Sequence, residues 1–404
     1  MTETRTGVRP LDGVRVLDAA TFIAAPFCAT LLAEFGAEVI KVELPGRGDP
    51  TRHFGSMTDC GDSLVWLSEA RNKKSVTIDL RTEDGAALFR RLAGEVDVVC
   101  ENFQTGTLEK WGVGYERLKQ ANPGLIMLRV TGYGQTGPYA HRPGFGRIGN
   151  AFGGISFLAG EPDRPPVTPG SATLADYLSG LFGAFGVVLA LRARETTGIG
   201  QVVDIGLYEP IFRILDELAP AYHMYDFVRQ RMGPGTVNAV PHSHYRTRDD
   251  KWLAIACTND AIFARLARLI GRAELAGDGR FGTTAKREAA RAEVDDLVAA
   301  WIGDRDRDKA LGLCAEAEVP CGPVYGIDEI FRDPQFEARE NIRVVDDPRA
   351  GPVAVPNVVP RLTGTPGVID GLGPALGADV AAVFGTLLGL DADEIAKLKS
   401  MGAV

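Results

Sequence analysis

Short apolar runs alternate with helically spaced apolar segments along the first half of the chain. Val14–Leu17 holds two β-branched valines and ends at Asp18, the pattern of a buried strand. Ala24–Phe35 (AAPFCATLLAEF) is rich in Ala and Leu with helical spacing, and Gly36 closes it before a second short run, Val39–Val42. Strand, helix, glycine, strand opens a βαβ unit, and parallel strands require such crossovers. The same rhythm predicts strands over Ser75–Leu80, Val96–Cys100 and Leu125–Val130, a helix over Thr82–Ala93 and helical segments within Leu108–Asn122. The first half therefore reads as a doubly wound α/β domain.

From residue 132 to 166 glycines dominate and few regular elements are expected through the first part. Such a stretch is either a plain loop or a place where backbone N–H groups approach a ligand closely. Thr173–Leu191 then predicts a long helix, and Thr196–Gly200 a turn into a strand over Gln201–Ile205. From about Tyr225 the pattern changes. A strand is expected over Trp252–Cys257 after an Asp249-Asp250 turn, and helices from Asp260 to about Ala317, which together read as a smaller α+β domain over 225–330. Residues 349–380 are Gly/Pro-rich with a short extended piece at Val353–Val355, and Asp391–Lys399 reads as a final helix.

A length of 404 residues fits two or three domains, and 45% hydrophobic with 24% charged residues is a globular make-up. The formal net charge of -9 speaks against a nucleic-acid binder but leaves room for a local basic patch facing an anionic small molecule. The six cysteines form no CxxC pair and no metal-ligand spacing, so reduced thiols in the cytoplasm are the expectation. The first residues hold no apolar run of signal-peptide length, and the longest apolar stretch, Leu181–Leu191, is too short to cross a bilayer, so no membrane role is expected.

HExxH, G-x-S-x-G and GxxxxGK[ST] do not occur, and His242 and His244 have no third ligand at a recognisable spacing, so no metal site is expected. The pattern GxGxxG occurs at Gly132–Gly137 and Gly144–Gly149, but neither copy lies between a predicted strand and a predicted helix, which disfavours NAD or FAD. Asp176 stands out at the head of a small, apolar helix. It reads either as a helix-start carboxylate favourable to the macrodipole or as a nucleophile in covalent catalysis.

Several segments, in order and spacing, carry a resemblance. They are Leu11–Asp18, Leu32–Glu43, Gly48-Asp49-Pro50-Thr51-Arg52, Asn72–Ser75, Glu101-Asn102-Phe103, Gly132-Tyr133-Gly134, and Asp176 ahead of Gly198–Gln201. Together they resemble the family III coenzyme A transferases, a group that also includes carnitine-CoA transferases and α-methylacyl-CoA racemases. The resemblance implies a Rossmann-like large domain (1–224) completed by the C-terminal part (331–404), a smaller α+β domain, and an interlocked homodimer. Asp176 would be the nucleophile, forming an aspartyl anhydride and then an aspartyl-CoA thioester. Coenzyme A would be met by Thr21, Phe22, Ala24, Ala25, Lys73, Lys74, Ile78, Arg81, Asn102, Phe103 and Lys110. Gly144, Phe145, Gly146 and Arg147 would lie by the acyl group. CoA thioesters would be substrates, with no permanently bound cofactor.

Racemases of this group pair the aspartate with a histidine, because inversion at an α-carbon needs an acid and a base on opposite faces. Here the matching place reads Gly144-Phe145-Gly146-Arg147, which favours transferase over racemase. Arg147 would suit a second carboxylate, so succinyl-CoA as donor and another dicarboxylate as acceptor is the expected pairing.

Overall fold

The computed structural model describes residues 7–170 and 173–404, which divide into two compact units. The first takes the described residues up to Ser156, those of Thr168–Asp226, and Glu340–Val404; the second takes Phe157–Val167 and Phe227–Arg339. Residues 157–167, expected in the large domain, thus group with the smaller unit, and the C-terminal 65 residues with the larger.

The first unit is built on six parallel strands: β1 (Arg15–Asp18), β2 (Glu38–Glu43), β3 (Lys73–Thr77), β4 (Val98–Glu101), β5 (Ile126–Thr131) and β6 (Val202–Gly206). Their order, β3-β2-β1-β4-β5-β6, is that of the doubly wound dinucleotide-binding domains, with the switch point between β1 and β4. Alternation along each strand supplies both layers. Val16, Val39, Val98 and Ile126 face one side and pack on the helices Ala24–Glu34 and Leu174–Thr197. Leu17, Ile40, Val99 and Met127 face the other, against Leu88, Phe89 and Leu92 of the helix Glu83–Ala93. The C-terminal segment completes that second layer with Val380, Val383, Phe384 and Ile395. A hairpin of β10 (Ile342–Asp347) and β11 (Gly351–Pro356) also belongs to this unit.

Three local expectations shift. The third strand is Lys73–Thr77 rather than Ser75–Leu80, because Ile78–Arg81 leave the sheet to line a pocket at its edge. The Gly-rich segment contains a helix, Gly146–Phe152. The long helix runs on to Thr197, where Gly198 at φ 69° closes it. With 24 residues it is about 36 Å long, and its length and apolar composition suffice to cross a membrane, which a count of unbroken apolar residues missed. Its small side chains instead bring two helices close together: a methyl group on Gly180 would stand 2.6 Å from the Ala24 carbonyl oxygen.

In the second unit β7 (His242–Arg246), β8 (Trp252–Ala256) and β9 (Cys321–Pro323) form an antiparallel sheet. Asp250, at φ 59°, turns the β7–β8 hairpin. The helices Asp260–Leu269, Arg291–Gly303 and Arg307–Glu316 cover it with Ile262, Leu266, Val298, Ile302 and Cys314.

Candidate active site

In a doubly wound sheet ligands bind beyond the carboxyl ends of the strands. A pocket of about 280 Å³ lies there, lined by residues following four strands: Ala19 and Thr21 after β1, Leu44 and Arg47 after β2, Ile78 and Arg81 after β3, and Phe103 after β4, with Trp111 beyond. Two cations, Arg47 and Arg81, stand on its wall, and Arg81 is held by Asp79 through bonds of 2.7 and 2.8 Å.

Buried charges shape the loop after β1. Asp18 accepts from Lys73 at 2.9 Å, Lys41 pairs with Asp49 at 2.9 Å, and all four side chains are at most 2% exposed. Burial alone would push Lys41 down, yet the surrounding carboxylates Asp18, Asp49 and Glu43 more than compensate and raise its pKa. Asp49 Oδ1 in turn accepts from the Phe22 N–H at 3.3 Å. Asn102 brackets the preceding peptide, accepting from Thr21 N–H at 2.8 Å and donating to Thr21 O at 2.6 Å. These bonds hold Phe22 at φ 61°, a left-handed conformation that is costly for a bulky residue and persists only where its surroundings impose it. The Phe22 ring then meets Phe54 and Phe145 edge-on, at centroid distances of 6.4 and 6.2 Å.

Phe145 precedes the helix Gly146–Phe152, and Gly146 lies against Asp176. A methyl group on Gly146 would stand 2.3 Å from Asp176 Oδ2 and 2.0 Å from Thr173 Oγ1, so only glycine leaves room for the carboxylate. Thr173 Oγ1 donates to Asp176 Oδ2 at 2.5 Å. Burial raises the Asp176 pKa above the ordinary aspartate value, and the Thr173 bond offsets part of that rise. The carboxylate is therefore partly desolvated, with Thr173 as its hydrogen-bond donor.

The structure sorts the residues expected at the site. Thr21, Ile78, Arg81 and Phe103 line the pocket; Phe22 and Asn102 shape its β1 wall; Gly144, Phe145, Gly146 and Arg147 lie at or beside Asp176's neighbour helix. Gly144 also packs on Gly132, where a Cβ would come within 2.6 Å of the Gly132 Cα, so the two glycine motifs meet back to back. Arg147 is exposed and has no carboxylate partner among the described residues. Ala24 and Ala25 are buried in the first turn of the helix Ala24–Glu34, and Lys110 is exposed beside Trp111 without lining the pocket.

Two lysines need correction. Lys73 does not face a phosphate: its ammonium group is spent on Asp18 and on the Pro26 carbonyl at 2.8 Å, beneath the loop. Lys74, next along the strand, projects to the other face and pairs with Glu38 at 2.6 Å. Gly48 and Asp49, which the resemblance implies at the coenzyme site, line the pocket; sequence reading missed Arg47 and Trp111. Arg47 carried a legible signal, a lone cation between glycines just after a strand; the burial of Asp49 and its pairing with Lys41 carried none, since burial of a charge is a tertiary fact.

Among the described residues no group of three or more His, Cys, Asp or Glu is placed to hold a metal ion. A doubly wound sheet with a cation-flanked pocket beyond its strand ends, and an aspartate whose pKa burial raises at the head of a long helix, is the frame of an α/β protein built to bind an anionic ligand. The chain belongs to CoA-transferase family III, which it matches over residues 11–380. It is 51% identical over 392 residues, 97% of this chain and 92% of the relative, to the succinyl-CoA–L-malate CoA-transferase alpha subunit of Chloroflexus aurantiacus. Identity to the succinyl-CoA–D-citramalate CoA-transferase of that organism is 49% over 392 residues, 97% of each chain. A solved CAIB/BAIF family protein from Brucella suis superposes with a TM-score of 0.83 at 37% identity, covering 94% of this chain and all 100% of that one.

Proposed function

We propose that this protein transfers coenzyme A from succinyl-CoA to a second dicarboxylic acid through covalent acylation of Asp176. The observation that carries the reading is the glycine at position 146, which leaves space at the carboxylate where any side chain would close it. The succinyl-CoA transferases to which the chain is similar supply the donor and the acceptor class.

The steps balance without an external base. Asp176 attacks the thioester carbonyl, the C–S bond breaks, and a succinyl-aspartyl anhydride and CoA thiolate form. Thiolate attacks the aspartyl carbonyl, releasing succinate and leaving an aspartyl-CoA thioester. The acceptor carboxylate displaces thiolate from that thioester, and thiolate then takes the new acyl group, restoring the Asp176 carboxylate. Each attack builds an oxyanion, for which backbone N–H groups of the Gly144–Gly154 segment are the proposed donors.

Arg47 and Arg81 meet the phosphates of coenzyme A, and Phe103 and Trp111 flank its adenine end. Arg147 takes the distal carboxylate of the acyl group. The chain acts as an interlocked homodimer: Leu181, Phe185, Val188 and Leu189 recur at helical spacing on one side of the long helix and are 43–61% exposed, an apolar stripe fitted for a second copy. Six free thiols fit a reducing cytoplasm.

Incubation with succinyl-CoA, with or without a hydroxylamine quench, followed by digestion and mass spectrometry tests the chemistry. Asp176 should carry CoA or a hydroxylamine adduct, and Asp176→Ala should fold but transfer nothing. Transfer at the wild-type rate in that variant would end the proposal.

A further inference from the structure

Asn150 lies one helical turn after Gly146, on the same side of the helix Gly146–Phe152. Its side chain is 1% exposed. Asn150 Oδ1 accepts from the backbone N–H of Ala175 at 3.1 Å, which fixes the orientation of the carboxamide because only its oxygen can accept. Ala175 belongs to the first turn of the long helix, whose N–H groups have no partner within the helix. Thr173 precedes that turn yet makes no capping bond with its side chain, which is committed to Asp176. Asn150 thus caps the nucleophile's helix from outside.

The other half of the carboxamide is unspent. Asn150 Nδ2 is buried and has no hydrogen-bond partner among the described residues. An unpaired buried amide donor is costly and calls for a role. We propose that Asn150 sets Asp176 for its chemistry: Oδ1 ties down the peptide immediately before the nucleophile, and Nδ2 is the side-chain donor for the oxyanion that forms when CoA thiolate attacks the aspartyl carbonyl. This rests on the covalent reading above and adds a residue that reading did not need. As the thiolate adds, the carbonyl π pair moves onto oxygen, and the Nδ2–H group donates a hydrogen bond to the resulting oxyanion; the pair returns to the carbonyl as the aspartyl–oxygen bond to succinate breaks, and the amide keeps its protons throughout.

Two variants of the full-length protein test it with succinyl-CoA and L-malate. Asn150→Ala should lower kcat about a hundredfold per folded molecule, as loss of one oxyanion donor does, with KM for succinyl-CoA within about twofold of wild type. Asn150→Asp keeps an acceptor for Ala175 and removes the donor, so on the alkaline plateau of its pH profile it should stay folded and still lose kcat. Wild-type kcat in Asn150→Asp, or a loss in Asn150→Ala matching only its unfolded fraction, overturns the inference. Should Asn150→Ala not fold, Asn150→Asp decides alone. Mass spectrometry separates the two failures. If wild-type Asp176 is never modified during transfer, the covalent reading falls; if it is modified and Asn150→Asp forms the aspartyl-CoA thioester as fast as wild type, only the Asn150 inference falls.

Discussion

Gly146 and Asp176 stand so close that a single methyl group on the first would lie 2.3 Å from a carboxylate oxygen of the second. The relationship joins the Gly-rich segment to the long helix and fixes the position of the proposed nucleophile. Gly146→Ala should therefore displace the Asp176 side chain. Overpacking of this kind costs about 1–3 kcal/mol, and kcat should fall at least tenfold. Thermal unfolding and steady-state kinetics on the same preparation check both.

Asp176 must be ionised to attack, and burial holds its pKa above the ordinary aspartate value. Activity should be lost as pH falls through that raised pKa, so the acid limb of kcat/KM lies above the usual aspartate range. Thr173→Val removes the bond that favours the charged form, raises the pKa further and should move the limb to higher pH. A limb that stays in place, or moves to lower pH, contradicts the assignment.

Lys73 and Arg81 should answer differently to mutation. Lys73→Met leaves Asp18 buried with Lys41 only at 3.8 Å, and breaking such a pair costs about 3–5 kcal/mol. Arg81→Ala and Arg47→Ala, on the pocket wall, should leave the melting temperature unchanged and raise KM for succinyl-CoA with little change in kcat. Denaturant titration of the first and kinetics of the others distinguish a structural cation from phosphate contacts.

Glu101 gives a stability signature. Burial raises its pKa from 4.5 to about 7, although Arg129 lies 2.6 Å away and pulls the other way. Between those values the native chain holds a proton that the unfolded chain has lost. This contribution to stability is full below pH 4.5, falls as pH rises towards about 7, and is flat above. The slope is at most about 1.4 kcal/mol per pH unit. Glu101→Gln should remove it, as urea unfolding at pH 5 and 7.5 would show.

Much of the large unit was legible because its elements are local. Val16-Leu17 and Val39-Ile40 are apolar on both faces, as buried parallel strands must be, and the small-residue helices between them leave one topology. The helix inside the Gly-rich segment was not legible, since Gly146, Gly149 and Gly153 weaken local helical preference. They are there for approach: Cβ atoms at 149 and 153 would come within 2.9 Å of Leu207 and 2.6 Å of Ile211. Asp176 was readable as an oddity, a carboxylate in an apolar helix; its contact with Gly146 and its bond from Thr173 were not, because both partners come from outside its local pattern or depend on how the chain packs.

By itself the amino-acid order determined the βαβ rhythm, the candidate nucleophile and the family, because each is written in short-range pattern. Which lysine serves the sheet and which cation faces the pocket was decided only by folding. Lys73 and Lys74 are neighbours of the same charge, and the pleat sends one under the loop to Asp18 and the other outward to Glu38. The partner of a charge, and hence its chemistry, depends on residues that only the packed sheet brings within reach.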